Sequence, residues 1–128
     1  MFVLGNGESR KSIDVASLQG SKIGCNAICR DFFVDHLICV DRRMVDQAHA
    51  NYSQNYNKIY TRKDWLDNRK QIKNLIAVPT VPYEIEVRAD EPFQWGSGPY
   101  AVLLATLMST EIHMIGFDLY GNGQRVNN

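Results

Sequence analysis

Six short apolar runs, each followed by a polar or helix-like stretch, set the tightest limit on how this chain can fold. They are Phe2–Leu4, Lys22–Cys25, His36–Val40, Lys58–Tyr60, Leu75–Val78 and Ile112–Gly116. Runs this short, without strict polar alternation, suit strands covered on both faces. Their alternation with helices makes the sheet parallel. The helical candidates are Ile13–Leu18 entered from Ser12, Arg42–Ser53 with Met44, Val45 and Ala48 at amphipathic spacing, and a turn or two over Asp64–Gln71. Gly98–Met108 is apolar nearly all round, as a helix buried between a sheet and a partner would be. The pattern predicts a three-layer α/β sandwich with a mostly parallel, Rossmann-like sheet, folded as a single domain over 1–120. Residues 121–128 have lost the apolar pattern and read as a frayed tail. Between the fifth run and the last helix, Val78–Phe93 carries Pro79, Pro82 and Pro92 and reads as irregular or as an edge strand.

Composition narrows the function classes. The 14 basic and 14 acidic residues cancel, which gives no electrostatic case for duplex nucleic acid or an anionic membrane surface. No apolar run approaches the roughly 18 residues of a membrane span, and Met1 leads almost directly into the first strand with no room for a leader. The expected location is therefore cytoplasmic. Cys25, Cys29 and Cys39 are an odd set suited to a reduced compartment, and Cys25-x3-Cys29 is not a zinc spacing. Buried free thiols are expected, with no metal and no cofactor.

In open α/β sheets, ligands sit beyond the carboxyl ends of the strands, where strand order reverses. The first strand runs into Gly5-Asn6-Gly7-Glu8-Ser9. Two glycines permit positive φ and keep Cβ atoms clear, and the freed N–H groups can cradle an anion. The second strand ends at Asn26, the third at Asp41 with Arg42 and Arg43, and the last at Asp118 and Tyr120. Trp95-Gly96-Ser97-Gly98-Pro99 opens the apolar helix, with Ser97 expected as its cap and Pro99 in its first turn. Backbone donors would hold phosphate, while Asn26 and Asp41 bond a base or ribose. A weaker option sets Asp41 and Asp118 around a metal for chemistry at phosphate. Of the histidines, His36 falls at the amino end of its strand and His113 inside one. His49, on the Arg42–Ser53 helix, is the histidine with a route to the site.

The order and wording of these pieces resemble bacterial sialyltransferases of glycosyltransferase family 42. That family opens with an apolar strand and Gly-Asn-Gly, then an Ile-Asp pair, a Cys-Asn strand end, a Ser-Gly opening an apolar helix, and Gly-Ile-Asp-Phe-Tyr. Here the matching residues are Gly5-Asn6-Gly7, Ile13-Asp14, Cys25-Asn26, Ser97-Gly98 and Gly116-Phe117-Asp118-Leu119-Tyr120. Flagellin-modification and pterin-pyrophosphokinase-like proteins share a similar opening. The resemblance implies a cytidine-monophosphate donor lined by Gly5, Asn6, Gly7 and Ser9, bonded by Asn26 and contacted by Ser97 and Gly98. It assigns the Tyr120 hydroxyl to the leaving phosphate in metal-independent chemistry. Family members carry proline where Glu8 stands and asparagine where Asp41 stands, and their histidine base lies past the position of Asn128.

A nucleotide- or nucleotide-sugar-binding domain, a minimal glycosyltransferase if active, is therefore expected. The alternative is a non-catalytic structural or interaction protein on the same scaffold, its edges covered by self-association into a homo-oligomer. The two differ in whether the polar atoms of Asn6, Asn26 and Ser97 face a common cleft or are consumed by internal turns and caps.

Overall fold

The computed structural model describes residues 1–82 and 95–118. Strands β1 (Phe2–Leu4), β2 (Lys22–Cys25), β3 (Val34–Ile38), β4 (Tyr56–Thr61), β5 (Leu75–Ala77) and β6 (His113–Ile115) form one sheet in the order β5-β4-β3-β2-β1-β6. Every neighbouring pair is parallel, with Val3 opposite Ile23 on one side and Met114 on the other. From β1 to β5 each new strand joins the same edge. Right-handed crossovers then put the connections on one face. These connections include the 3-10 turns Glu8–Ser12, Val15–Ser17 and Asn26–Arg30 and helix α1 (Arg42–Tyr52). Val15, Ile28, Val45, Ala48 and Ile72 pack there against Leu4, Leu37 and Ile59. The crossover from β5 to β6 runs back the other way, so helix α2 (Ser97–Met108) covers the opposite face. Tyr100, Ala101, Leu104 and Ala105 of α2 meet Val3, Ile23, Ile38 and Tyr60. The result is the expected three-layer α/β sandwich, a single Rossmann-like domain.

Local chemistry explains the element ends. Asp41 caps α1, its Oδ1 accepting from the N–H of Arg43 at 2.8 Å and of Met44 at 3.4 Å. Gly24 lets the Asn26–Arg30 turn press onto β2, because a Cβ there would lie 2.2 Å from Ile28 Cγ2. β3 begins two residues before the apolar run, since Asp35 is accommodated within it. The Asp35 carboxylate accepts from the Lys22 N–H at 2.8 Å. His36 is consequently in mid-strand rather than at the amino end. It is buried beneath the α2 face, with Nδ1 3.1 Å from the Tyr60 hydroxyl.

One helical expectation is corrected. Ile13–Leu18 is not a helix: Ile13 is extended, and Asp14 accepts from the Ala16 N–H at 3.1 Å to start the short Val15–Ser17 turn. The turn or two expected over Asp64–Gln71 is present as two 3-10 turns, Lys63–Trp65 and Asp67–Arg69. Within it Trp65 is buried, with the Arg42 and Arg62 guanidinium groups 5.3 Å and 4.6 Å from its ring centroid. α2 buries one flank, while Leu107 is 68% exposed and Met108 also faces outward. No helix among the described residues is long and apolar enough to cross a membrane. Most of the proline-bearing stretch, Tyr120 and the 121–128 tail lie outside the described residues.

Candidate functional site

Strand order reverses at β1, which is paired with β2 on one side and β6 on the other. Beyond its carboxyl end opens a cleft of about 610 Å³, within the size range of small-molecule sites. Gly5, Asn6, Gly7, Asn26, Asp41, Ser97 and Gly98 all line it, together with Arg30, Arg43 and Asp118. Ser9 is not part of its wall but binds Asp118, which is. His49 lies on α1 outside the cleft. The cleft-facing side of α1 carries Arg43, Met44 and Gln47, and 3.6-residue periodicity turns His49 away from them.

A directional hydrogen-bond chain orders the floor of the cleft. The Val40 N–H, just past β3, donates to Ser97 Oγ at 3.1 Å, and that hydroxyl donates to Asn26 Oδ1 at 2.7 Å. The Ser97 hydroxyl thus accepts from a backbone N–H through one lone pair and gives its proton to the Asn26 amide oxygen. Asn26 Nδ2 has no acceptor among the described residues. Asn26 also adopts φ +47°, the single non-glycine residue with positive φ among those described. Asparagine tolerates that left-handed conformation better than most residues. Asn6 is fixed in the opposite sense: its Nδ2 donates to the Cys25 carbonyl at 3.0 Å, leaving Oδ1 without a partner among the described residues. Each amide spends one end on architecture and keeps the other. The Ser97 hydroxyl has its proton and one lone pair engaged, and Ser97 is the first residue of α2 rather than its cap. Gly96 holds the cap position, with no side-chain cap bond.

The turn after β1 departs from expectation in two ways. Neither Gly5 nor Gly7 uses positive φ; among the described residues the positive-φ glycines are Gly20 and Gly116. Glycine is needed at both for close approach: a Cβ on Gly5 would lie 2.3 Å from the Gly116 carbonyl oxygen, and one on Gly7 2.4 Å from Asp118 Oδ2. The anion cradle is also filled from within. Asp118 accepts the Ser9 N–H at 2.9 Å and the Ser9 hydroxyl through its other oxygen. The Ser9 hydroxyl, then its N–H and that of Glu8, hold the Asp118 carboxyl below the usual range. Glu8 itself points outward and pairs with Lys11 at 2.6 Å.

Asp41 faces the cleft, but its Oδ1 is engaged by the α1 amides. With Asp118 tied to Ser9, both carboxylates proposed for a metal already serve N–H donors. Trp95 packs against the α2-side core, its ring 5.4 Å from that of Tyr100. His113 is exposed on β6, 3.0 Å from Glu111 and stacked on Phe2. All three cysteines are buried free thiols; burial pushes Cys25 up to about 12 and Cys39 well above its ordinary value.

Sequence reasoning missed Arg30, Gln47 and the bond joining Ser97 to Asn26. The helical phase of Arg43 and Gln47 was the available signal for one rim. Nothing in the sequence linked positions 26 and 97. Compared with known protein families, curated proteins and solved structures, the chain matches none.

Proposed function

We propose that the cleft binds a nucleotide or nucleotide-sugar. The observation that carries this reading is the Val40–Ser97–Asn26 chain. It presents a fixed amide donor, with the Asn6 acceptor also lining the cleft, at the point where strand order reverses. Fixed amide donors and acceptors suit the hydrogen-bonding edge of a base or a ribose. The resemblance to family 42 sialyltransferases makes cytidine nucleotides the first candidates and assigns Tyr120 to the leaving phosphate. Among the described residues lining the cleft there is no histidine, so binding is the activity proposed and transfer awaits a base.

The test is thermal unfolding with millimolar CMP, UMP, AMP and GMP, without and with magnesium. A ligand at 100 times its Kd adds about 2.7 kcal/mol, a rise of several degrees for a chain of this size. The expected result is a metal-free rise that Asn26→Ala abolishes. No rise with any nucleotide refutes the reading.

A second reading, self-association through a structural surface, is favoured by Leu107, Met108 and Met114, exposed on α2 and the edge strand β6. Sedimentation of the wild type and of Leu107→Glu separates the two, since a monomer in both removes the second reading.

A further inference from the structure

We propose that the ligand's anionic group is received by Arg43 and Arg30, on the α1 side of the cleft, and not by the glycine turn after β1. The inference rests on the nucleotide reading above and says where its phosphate goes.

Of the three backbone anion sites that border the cleft, the two near β1 and β3 already hold a carboxylate. The third, the α2 N-terminus at Gly96–Gly98, carries no side-chain cap bond and belongs to the helix on the opposite face of the sheet from α1. The amides after Gly7 hold Asp118, and the first turn of α1 holds Asp41. A phosphate entering the Gly7–Ser9 turn would expel one anion to seat another, losing the Ser9 bonds that Asp118 makes.

The arginines point elsewhere. Arg10, Arg62 and Arg69 pair with Asp31, Asp64 and Asp46. Arg42 lies over the Trp65 ring. Arg30 and Arg43 have no carboxylate partner among the described residues, and both line the cleft. Arg30 is held there by Gln47, whose Oε1 accepts from its Nη2 at 2.8 Å. Gln47 sits one turn beyond Arg43 on the same side of α1. Two guanidinium groups that line the cleft without an ion pair among the described residues, one already oriented by Gln47, suit the bidentate recognition of a phosphomonoester. The cleft should therefore discriminate nucleoside monophosphates from nucleosides through this wall, whichever base the amides accept.

The test measures affinity by calorimetry for two matched pairs, CMP with cytidine and AMP with adenosine, at fixed salt. The readout is the affinity ratio of nucleotide to nucleoside. Arg43→Ala should lower that ratio roughly ten- to hundredfold with nucleoside affinity little changed, and Arg43→Lys should fall between. Arg42→Ala removes the same charge from the same helix outside the cleft and should leave the ratio as in the wild type. Equal loss in Arg42→Ala and Arg43→Ala would overturn the inference, since diffuse field would then explain it. A ratio unchanged in Arg43→Ala and Arg30→Ala but collapsed in Ser9→Ala would overturn it in favour of the glycine turn. If the wild type binds nucleosides and nucleotides equally, the arginine wall is refuted while the nucleotide reading survives. If it binds neither, both fall.

Discussion

Ser97→Ala tests the hydrogen-bond chain that organises the cleft. The Ser97 hydroxyl accepts from the Val40 N–H and donates to Asn26 Oδ1, and the residue is only 4% exposed. Alanine fits the same helix position with a better intrinsic propensity, so the change removes two hydrogen bonds without backbone strain. At about 1 kcal/mol net for each, the loss is about 2 kcal/mol, more if the Val40 donor stays unpaired. Unfolding entropy of about 2.1 cal/mol/K per residue over 128 residues converts this to about 7 °C in Tm. Differential scanning calorimetry gives the single-variant value. A double-mutant cycle with Asn26→Ala isolates the link, with an expected coupling of about 1 kcal/mol. The Asn26 variant alone carries an extra cost, because alanine at φ +47° is strained. A Ser97→Ala protein within about 0.5 kcal/mol of wild type, with additive double-mutant behaviour, would refute the chain as described.

Gly5→Ala should cost at or above the upper end of the roughly 1–3 kcal/mol of overpacking, because its Cβ meets the Gly116 backbone oxygen at 2.3 Å; chemical denaturation measures it. His36 is lowered from its ordinary pKa first by burial, against an opposing Asp35 charge, with Lys58 adding to the depression. Its folded value thus lies below the unfolded one. Stability is full above about pH 6.5 and falls as the pH drops through the His36 titration, a slope that His36→Gln should flatten in a Tm-versus-pH series. The thiols should stay unreactive toward a disulfide reagent at pH 8 in the native protein, and three should react in denaturant, since Cys25, Cys29 and Cys39 are all buried. Rapid native labelling of any of them would show that the cleft floor opens.

Much of the fold was legible because apolar runs report burial directly. β1 and β2 match their expected limits residue for residue, and α2 starts one residue early. The start of β3 was illegible because Asp35 is polar, and its place in a strand depends on a bond to Lys22 across the sheet. The cleft lies at the strand ends to which the sequence pointed, but the bonds within it were not legible. Asn6, Asn26, Ser97 and Gly98 do line the cleft. That Asp118 would fill the Gly7–Ser9 turn depends on a contact across 109 positions. Local patterns carry turn chemistry; they do not say which anion occupies a turn.

The place of β1 between β2 and β6 has a consequence for assembly. Strands β1 to β5 can zip together from neighbours in sequence, but β6 must return across the sheet to reach the open edge of β1. That closure spans about 110 residues, the sequence distance between the Met1 amine and the Glu111 carbonyl it bonds. Non-local pairing of this kind is slow. Until it happens β1 is itself an exposed edge, and both Gly116 and Asp118 are missing from the cleft wall. On a ribosome the first five strands can emerge and collapse while the cleft still lacks one side. Folding speed and ligand competence are thus tied to one event, the arrival of a three-residue strand.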